Sequence, residues 1–149
     1  LPEVKAGAHI VVVEDNPDSR EMLCELLHGA GFECTTADNG PSALQIIDEI
    51  EPDIAILDVG LPEMDGFEVA RRLRANPKHA GLFLIALTGY GRAEDRRASR
   101  DAGFDEHLVK PVHAEQLLQL LSQGREPTHA PSGDGESKPD ARNLTPVQN

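Results

Sequence analysis

The chain has 149 residues, 39% of them hydrophobic, a length that suits one domain of ordinary size with a short remainder. Its 26 acidic residues outnumber the 14 basic ones and give a formal net charge of −12, which disfavours binding to nucleic acid or to an anionic membrane surface. No apolar run approaches the roughly 18 to 20 residues that a transmembrane helix needs, and we expect no signal peptide.

The first predicted element is a strand at residues 9–13, a short β-branched run typical of a strand buried on both faces. A helix follows, because Asn16 is a favourable N-cap residue and Pro17 suits the first helical position. This helix is expected to end near residues 29–31, and its periodicity places Met22 among the side chains of its inner face.

The same alternation of apolar runs and amphipathic stretches continues along the chain. Further strands are predicted at residues 32–37, 53–57, 82–87 and 106–109, and further helices at residues 42–50, 66–75, 94–102 and 114–121. Five strands that alternate with five helices predict an α/β domain with a doubly wound parallel sheet, covered by helices on both faces.

The chain is predicted to divide into three parts. Residues 1–8 are expected to be an N-terminal linker, and residues 9–123 the folded domain. From residue 124 the sequence is rich in Pro, Gly, Ser and Asp and has little to bury, so residues 124–149 are predicted to be a disordered tail.

Polar residues follow four of the five predicted strands, and in a doubly wound sheet polar chemistry collects at the carboxyl ends of the strands. These residues are Glu14 and Asp15 after the first strand, Asp58 after the third, Thr88 after the fourth, and Lys110 with Pro111 after the fifth. We therefore expect three carboxylates, one hydroxyl and one ammonium group to converge at this edge of the sheet.

The chemistry of this set follows from its charges. Clustered carboxylates repel one another and favour a bound cation, and oxygen-only ligands suit Mg²⁺. A carboxylate beside that cation can attack a phosphoryl donor, while a Lys ammonium and a Thr hydroxyl stabilise the charge of the transferred group. The predicted product is an acyl phosphate on an aspartate.

Four segments of the chain resemble the receiver domain of response regulators and hybrid histidine kinases in bacterial two-component systems. They are Val-Val-Glu-Asp-Asn at 12–16, Ile-Leu-Asp-Val-Gly-Leu-Pro-Glu-Met-Asp-Gly at 56–66, Ala-Leu-Thr-Gly-Tyr at 86–90 and Leu-Val-Lys-Pro-Val at 108–112. The resemblance covers residues 9–123 and implies a (βα)5 flavodoxin-like fold with strand order 2-1-3-4-5. It also implies phosphate transfer from a phosphohistidine of a histidine kinase or histidine phosphotransfer protein, followed by slow autodephosphorylation.

The resemblance assigns a role to each motif residue. It implies that Asp58 is the phosphoacceptor and that Thr88 and Lys110 bind the phosphoryl oxygens. It also implies that Mg²⁺ is held directly by Asp15, Asp58 and the Val59 carbonyl, and through water by Glu14. The Lys110–Pro111 peptide is expected to be cis. The parent protein is compatible with a hybrid sensor histidine kinase.

The sequence departs from the family at the switch position. Receivers often carry Tyr or Phe three residues before the lysine, and this chain has His107 there, so Thr88 and His107 are predicted to form the switch. Coupling to output is expected to weaken below about pH 6, where imidazole gains a proton, unless a carboxylate pairs with it. The alternative is that His107 is a solvated surface residue.

Arginines recur at positions 92, 96, 97 and 100, on the fourth predicted helix and just before it. They indicate either an ordinary solvated face or a docking surface for an output partner, formed by helix 4, strand 5 and helix 5. Cys24 and Cys34 are the only cysteines in this acidic chain, which indicates a reducing compartment and hence a cytoplasmic location.

Three other functions are less consistent with these residues. A phosphatase of the haloacid dehalogenase class needs a second aspartate two residues after the first, where this chain has Gly60, and it needs a cap domain. A flavodoxin-like cofactor binder needs a phosphate loop after the first strand, where Glu14 and Asp15 would repel phosphate. A receiver that docks without being phosphorylated is hard to reconcile with a complete acidic cluster.

Overall fold

The computed structural model describes residues 7–89 and 93–123. The predicted tail at residues 124–149, most of the predicted linker at residues 1–8, and Arg92, just before the fourth predicted helix, lie outside the described residues. Contacts between residues divide the chain into two units. One comprises residues 5–119, and the other comprises residues 1–4 and 120–149, of which residues 120–123 are described.

Strands and helices alternate in the order that the sequence predicts. The strands are β1 (His9–Val13), β2 (Glu33–Ala37), β3 (Ile54–Asp58), β4 (Phe83–Thr88) and β5 (Glu106–Val109). The helices of the described residues are α1 (Pro17–Gly29), α2 (Gly40–Ile50), α3 (Gly66–Ala75), α4 (Ala93–Ala102) and α5 (Ala114–Gln123). A 3-10 turn at Pro77–His79, which was not predicted, separates α3 from β4.

The strands form one parallel sheet in the order β2-β1-β3-β4-β5. The predicted fold class and strand order are therefore confirmed. The register aligns Asp58 of β3 with Leu87 of β4. It also aligns His107 of β5 with Ala86 and Val109 with Thr88, so the polar ends of β3, β4 and β5 lie side by side.

Side-chain caps fix the start of three helices at the carboxyl edge of the sheet. Asn16 Oδ1 accepts a hydrogen bond from the Ser19 N–H at 3.0 Å, and Asn39 Oδ1 accepts one from Ser42 at 2.8 Å. Asp65 caps α3 in the same way, through a 2.9 Å bond from the Glu68 N–H. Because Asn39 is the cap, α2 begins at Gly40, two residues before the predicted start.

The core lies against both faces of the central strands. Every residue of β3 and β4 is buried, as expected for strands with helices on both sides. One buried cluster joins alternate residues of β1, β3 and β4 to small and branched side chains of α2 and α3, and to Ala102 of α4. In the described part of the chain, no helix is both long enough and apolar enough to cross a membrane.

Candidate functional site

Three carboxylates meet where β1 and β3 end. One carboxylate oxygen from each of Glu14, Asp15 and Asp58 lies within 4.8 Å of the others. Glu14 is 1% exposed and Asp58 is 6% exposed, whereas Asp15 is open to solvent. The cluster forms because β1 and β3 are neighbours in the parallel sheet, so the residues that follow them meet at one edge.

Lys110 brings the positive charge to this cluster from the end of β5. Its Nζ lies 2.8 Å from Asp58 Oδ2 and 3.1 Å from Glu14 Oε1. The Lys110 N–H donates to the Thr88 carbonyl at 2.8 Å, which extends the pairing of β4 and β5 by one bond. The Lys110–Pro111 peptide is cis, as the resemblance implies.

The Asp58 carboxylate is held by the chain on both sides. Its Oδ1 accepts a 2.8 Å hydrogen bond from the Gly60 N–H, and its Oδ2 accepts the bond from Lys110. The following loop stays close because Gly66, the first residue of α3, lies against the Asp58–Val59 backbone. A Cβ at Gly66 would lie 2.5 Å from the Asp58 carbonyl oxygen, which leaves room only for glycine.

The Val59 carbonyl faces α3. It accepts a 3.1 Å hydrogen bond from the Gly66 N–H, so one of its two lone pairs is already used. The adjacent residue Gly60 is the one whose backbone N–H faces the Asp58 carboxylate. Of the four predicted metal ligands, the Val59 carbonyl is therefore the one that the geometry supports least.

Glu14 is fixed by its own loop. The Asn16 N–H donates to Oε2 at 3.1 Å, and Arg20 Nη1 donates to the Glu14 carbonyl at 2.9 Å. The other carboxylate oxygen, Oε1, is buried and makes no aligned hydrogen bond within the described residues, although the Lys110 ammonium lies near it. A buried carboxylate oxygen without a hydrogen bond favours a cation or a water molecule beside it.

The pKa values of the two buried acids of the cluster shift in opposite directions. Burial raises the pKa of Glu14, and the Asp58 carboxylate raises it further, while the Asn16 N–H offsets part of the effect. Burial acts in the same direction on Asp58, but the Lys110 ammonium and the Gly60 N–H outweigh it and hold the pKa of Asp58 below its usual value. Burial lowers the pKa of Lys110, and the two carboxylates more than reverse this. Asp58 is thus kept ionised beside a charged lysine.

Thr88 and His107 lie along the two strands next to Asp58. Thr88 ends β4 with 3% exposure, one residue beyond the register partner of Asp58. His107 is half-buried on β5. Burial lowers the pKa of His107, and the nearby guanidinium groups of Arg96 and Arg100 on α4 lower it further.

A cleft of about 330 Å³, not predicted from the sequence, opens beside the cluster between α1 and the loop after β5. It is lined by Glu14, Ser19, Met22, Leu23, Leu87, Lys110, Pro111 and Val112. Met22 is 48% exposed here, so its predicted place on the inner face of α1 was wrong. The periodicity misled because Met22 lies at the boundary of the buried face, next to the buried Leu23.

Comparison with known proteins adds independent information. The family model of the response regulator receiver domain matches residues 10–122. An uncharacterized 14.6 kDa protein in the sodA1 3' region of Leptolyngbya boryana is 43% identical over 79% of this chain and 90% of that protein. The sensor histidine kinase RcsC of Salmonella typhi is 35% identical over 76% of this chain, which spans only 12% of the kinase.

Among solved structures, the receiver domain of the sensor histidine kinase PA1611 from Pseudomonas aeruginosa has a TM-score of 0.72 and 30% identity. The match covers 78% of this chain and 95% of that domain. That structure carries a magnesium ion coordinated in its active-site cleft.

Proposed function

Because this chain belongs to the family of response regulator receiver domains of two-component signalling, we propose that it is a phosphorylation-dependent switch whose phosphoacceptor is Asp58. The observation that carries the proposal is the contact of Lys110 Nζ with Asp58 Oδ2 at 2.8 Å inside the acidic cluster. A buried carboxylate that stays ionised next to an ammonium group is a nucleophile with a partner for the charge that it acquires.

The residues of the chain divide the phosphoryl transfer between them. An Asp58 oxygen forms the new bond to phosphorus while the bond to the donor histidine breaks and its imidazole leaves. The Gly60 N–H orients the carboxylate, and Lys110 and Thr88 bind the phosphoryl oxygens from β5 and β4. The domain thus catalyses its own phosphorylation and slow dephosphorylation, and in this sense it is a phosphoacceptor module rather than a metabolic enzyme.

A divalent cation fits the donor set. The cluster offers three carboxylates with oxygens within 4.8 Å of one another, and the Lys110 ammonium, which lies close to two of them, offsets only part of their charge. All the donors are oxygens, which suits Mg²⁺. Asp15 and Asp58 would hold the ion directly and Glu14 through water. The Val59 carbonyl is the predicted backbone ligand.

The ion would offset the negative charge of the donor and of the transferred group. The magnesium ion in the PA1611 receiver domain supports this choice of metal.

The proposed phosphate donor is a histidine kinase or a histidine phosphotransfer protein. The similarity to RcsC, itself a sensor histidine kinase, supports a hybrid kinase as one parent of such a domain. The receiver is proposed to span residues 9–123, between the linker at residues 1–8 and the tail at residues 124–149, in the cytoplasm. The output face on helix 4, strand 5 and helix 5 stays a prediction.

Phosphorylation by a small donor tests the proposal without the unknown kinase. We expect phosphoramidate with Mg²⁺ to add one phosphoryl group, seen as a mass increase of the intact protein, and Asp58→Asn to abolish it. Asp38→Asn is the matched control, because Asp38 is an exposed carboxylate at the same edge of the sheet, after β2. Undiminished labelling of Asp58→Asn would contradict the assignment.

A further inference from the structure

Helix α4 has an unusual inner face. Its inward positions are Asp95, Ser99 and Ala102, of which Ser99 and Ala102 are each 3% exposed and Asp95 is half-buried. The other residues of α4 are exposed to solvent. The helix therefore packs on the sheet through small and polar side chains, without a large apolar residue.

Two polar atoms on this face have no hydrogen-bond partner in the part of the chain that the structure describes. Asp95 Oδ2 and Ser99 Oγ are both buried and make no hydrogen bond within residues 7–89 and 93–123. Because they lie four positions apart on the helix, they are neighbours on one face. Buried polar atoms in folded proteins almost always have a partner, so this neighbouring pair offers a carboxylate oxygen and a hydroxyl group to a polar group or a water molecule that enters this space.

His107 is placed to be that group. It pairs with Ala86 across β4 and β5, and paired residues of parallel strands point to the same face of the sheet. Ala86 belongs to the same buried cluster as Ala102 of α4, so this is the face that α4 covers. Burial lowers the pKa of His107, and the guanidinium groups of Arg96 and Arg100 on the same helix lower it further, which is consistent with this placement.

We propose that Asp95 and Ser99 form a polar socket beneath α4 that receives the His107 imidazole when this side chain turns inward on activation. The inference rests on the proposed phosphorylation of Asp58 and on the switch role predicted for Thr88 and His107. The new element is the pair of α4 side chains that would bind the inward imidazole. This contact would couple the conformation of His107 on β5 to the position of α4.

The chemistry of the three side chains is complementary. A neutral imidazole has one donor and one acceptor nitrogen, which match the Asp95 carboxylate and the Ser99 hydroxyl. A protonated imidazole has two donors, and it can pair with the carboxylate and donate to the hydroxyl oxygen. The socket thus supplies the carboxylate that a charged His107 needs in order to enter, and coupling to output should persist below pH 6 as long as Asp95 is present.

The charges around His107 come from α4. Arg96 and Arg100 disfavour the protonated imidazole. Asp95, on the inner face of the same helix, would favour it once the ring lies beside the carboxylate. The facing residue of β4 is the uncharged Ala86, and on β5 the adjacent acidic residue is Glu106, which is engaged in an interaction of its own. Inward rotation moves the ring toward Asp95, so activation should raise the pKa of His107.

The test is an NMR titration of the His107 imidazole, with and without beryllofluoride and Mg²⁺ as the activating probe. In the wild-type protein we expect beryllofluoride to raise the pKa by roughly one pH unit, the size typical of a nearby carboxylate. In Asp95→Asn, which keeps the shape of the side chain, the rise should vanish. Asp95→Glu, which keeps the charge, should restore it.

Asp101→Asn is the matched control, because it removes an exposed acidic charge from the same helix and should leave the rise unchanged. The socket is overturned if the rise is absent in the wild type or survives in Asp95→Asn, while the Gly60 amide still shifts with beryllofluoride. If the Gly60 amide does not respond, the phosphoacceptor role of Asp58 is itself contradicted, and the socket falls with it.

Discussion

At the scale of single residues, Gly66 determines how closely α3 can approach the phosphoacceptor. A Cβ there would lie 2.5 Å from the Asp58 carbonyl oxygen and 2.7 Å from Val59 Cα, both of them backbone atoms that cannot easily move. We expect Gly66→Ala to lower the free energy of unfolding by about 1–3 kcal/mol, the usual cost of overpacking. Gly29→Ala, at the last position of α1 with nothing within 4 Å, should be neutral or stabilising. Urea unfolding measures both, and equal effects would refute the steric argument.

His107 links the stability of the domain to pH. Burial and the two arginines of α4 lower the pKa of His107, so the unfolded chain binds a proton at this site more readily than the folded chain does. The resulting stability is present above the unfolded value of about 6.5 and is lost as the pH falls through the lower folded value.

From pH 7.5 to 5.5, the urea midpoint of the wild-type protein should therefore fall further than that of His107→Gln. His113→Gln, in the exposed loop after β5, should behave as the wild type does. A His107→Gln variant with the same pH dependence as the wild type would show that the imidazole is solvated in both states.

At the scale of elements, Arg74 joins the end of α3 to the end of α4 and the start of β4. Its guanidinium donates to the Gly103 carbonyl and to the Leu82 carbonyl, both at 2.8 Å, and to Asp105 Oδ2 at 2.7 Å. Asp105 Oδ2 also accepts the Leu84 N–H at 2.8 Å. The carboxyl-terminal end of α4 is thus tied down.

Loss of this guanidinium leaves two carbonyls and a carboxylate short of a donor. We expect Arg74→Ala to lower the free energy of unfolding by about 2–4 kcal/mol. Arg71→Ala on the same helix removes only an exposed ion pair with Glu68, at 3.5 Å, and should cost about 0–1 kcal/mol. Thermal unfolding distinguishes the two, and similar losses would mean that the Arg74 contacts contribute little.

At the scale of the whole molecule, the acidic cluster opposes folding until its charge is balanced. Lys110 supplies one positive charge against three carboxylates, in a chain of net charge −12. A cation that binds only the folded state raises its stability by about 2.7 kcal/mol at a hundred times the dissociation constant.

Mg²⁺ should therefore raise the thermal midpoint above that measured in EDTA with NaCl at the same ionic strength. Asp15→Asn should abolish most of this increase in the thermal midpoint, because Asp15 is a predicted direct ligand of the ion. An equal rise in the wild type and in Asp15→Asn would place the ion elsewhere.

Sequence patterns predicted the residues that lie at the ends of strands. They did not predict the features that depend on contacts between elements distant in the sequence. Glu14, Asp58, Thr88 and Lys110 lie at the carboxyl ends of four strands, so the parallel sheet alone brings them to one edge. The Arg74 contacts and the burial of the Ser99 hydroxyl depend on how α3 and α4 lie on the sheet, which no local pattern encodes.

The most direct test of the central claim is to locate the phosphoryl group itself. The protein is incubated with phosphoramidate and Mg²⁺, the acyl phosphate is reduced with borohydride, and the modified peptide is sequenced by mass spectrometry. The account predicts modification at Asp58 alone, and no modification when EDTA replaces Mg²⁺. A label on Asp15, on a histidine or on any other residue, or labelling that EDTA leaves unchanged, would contradict it.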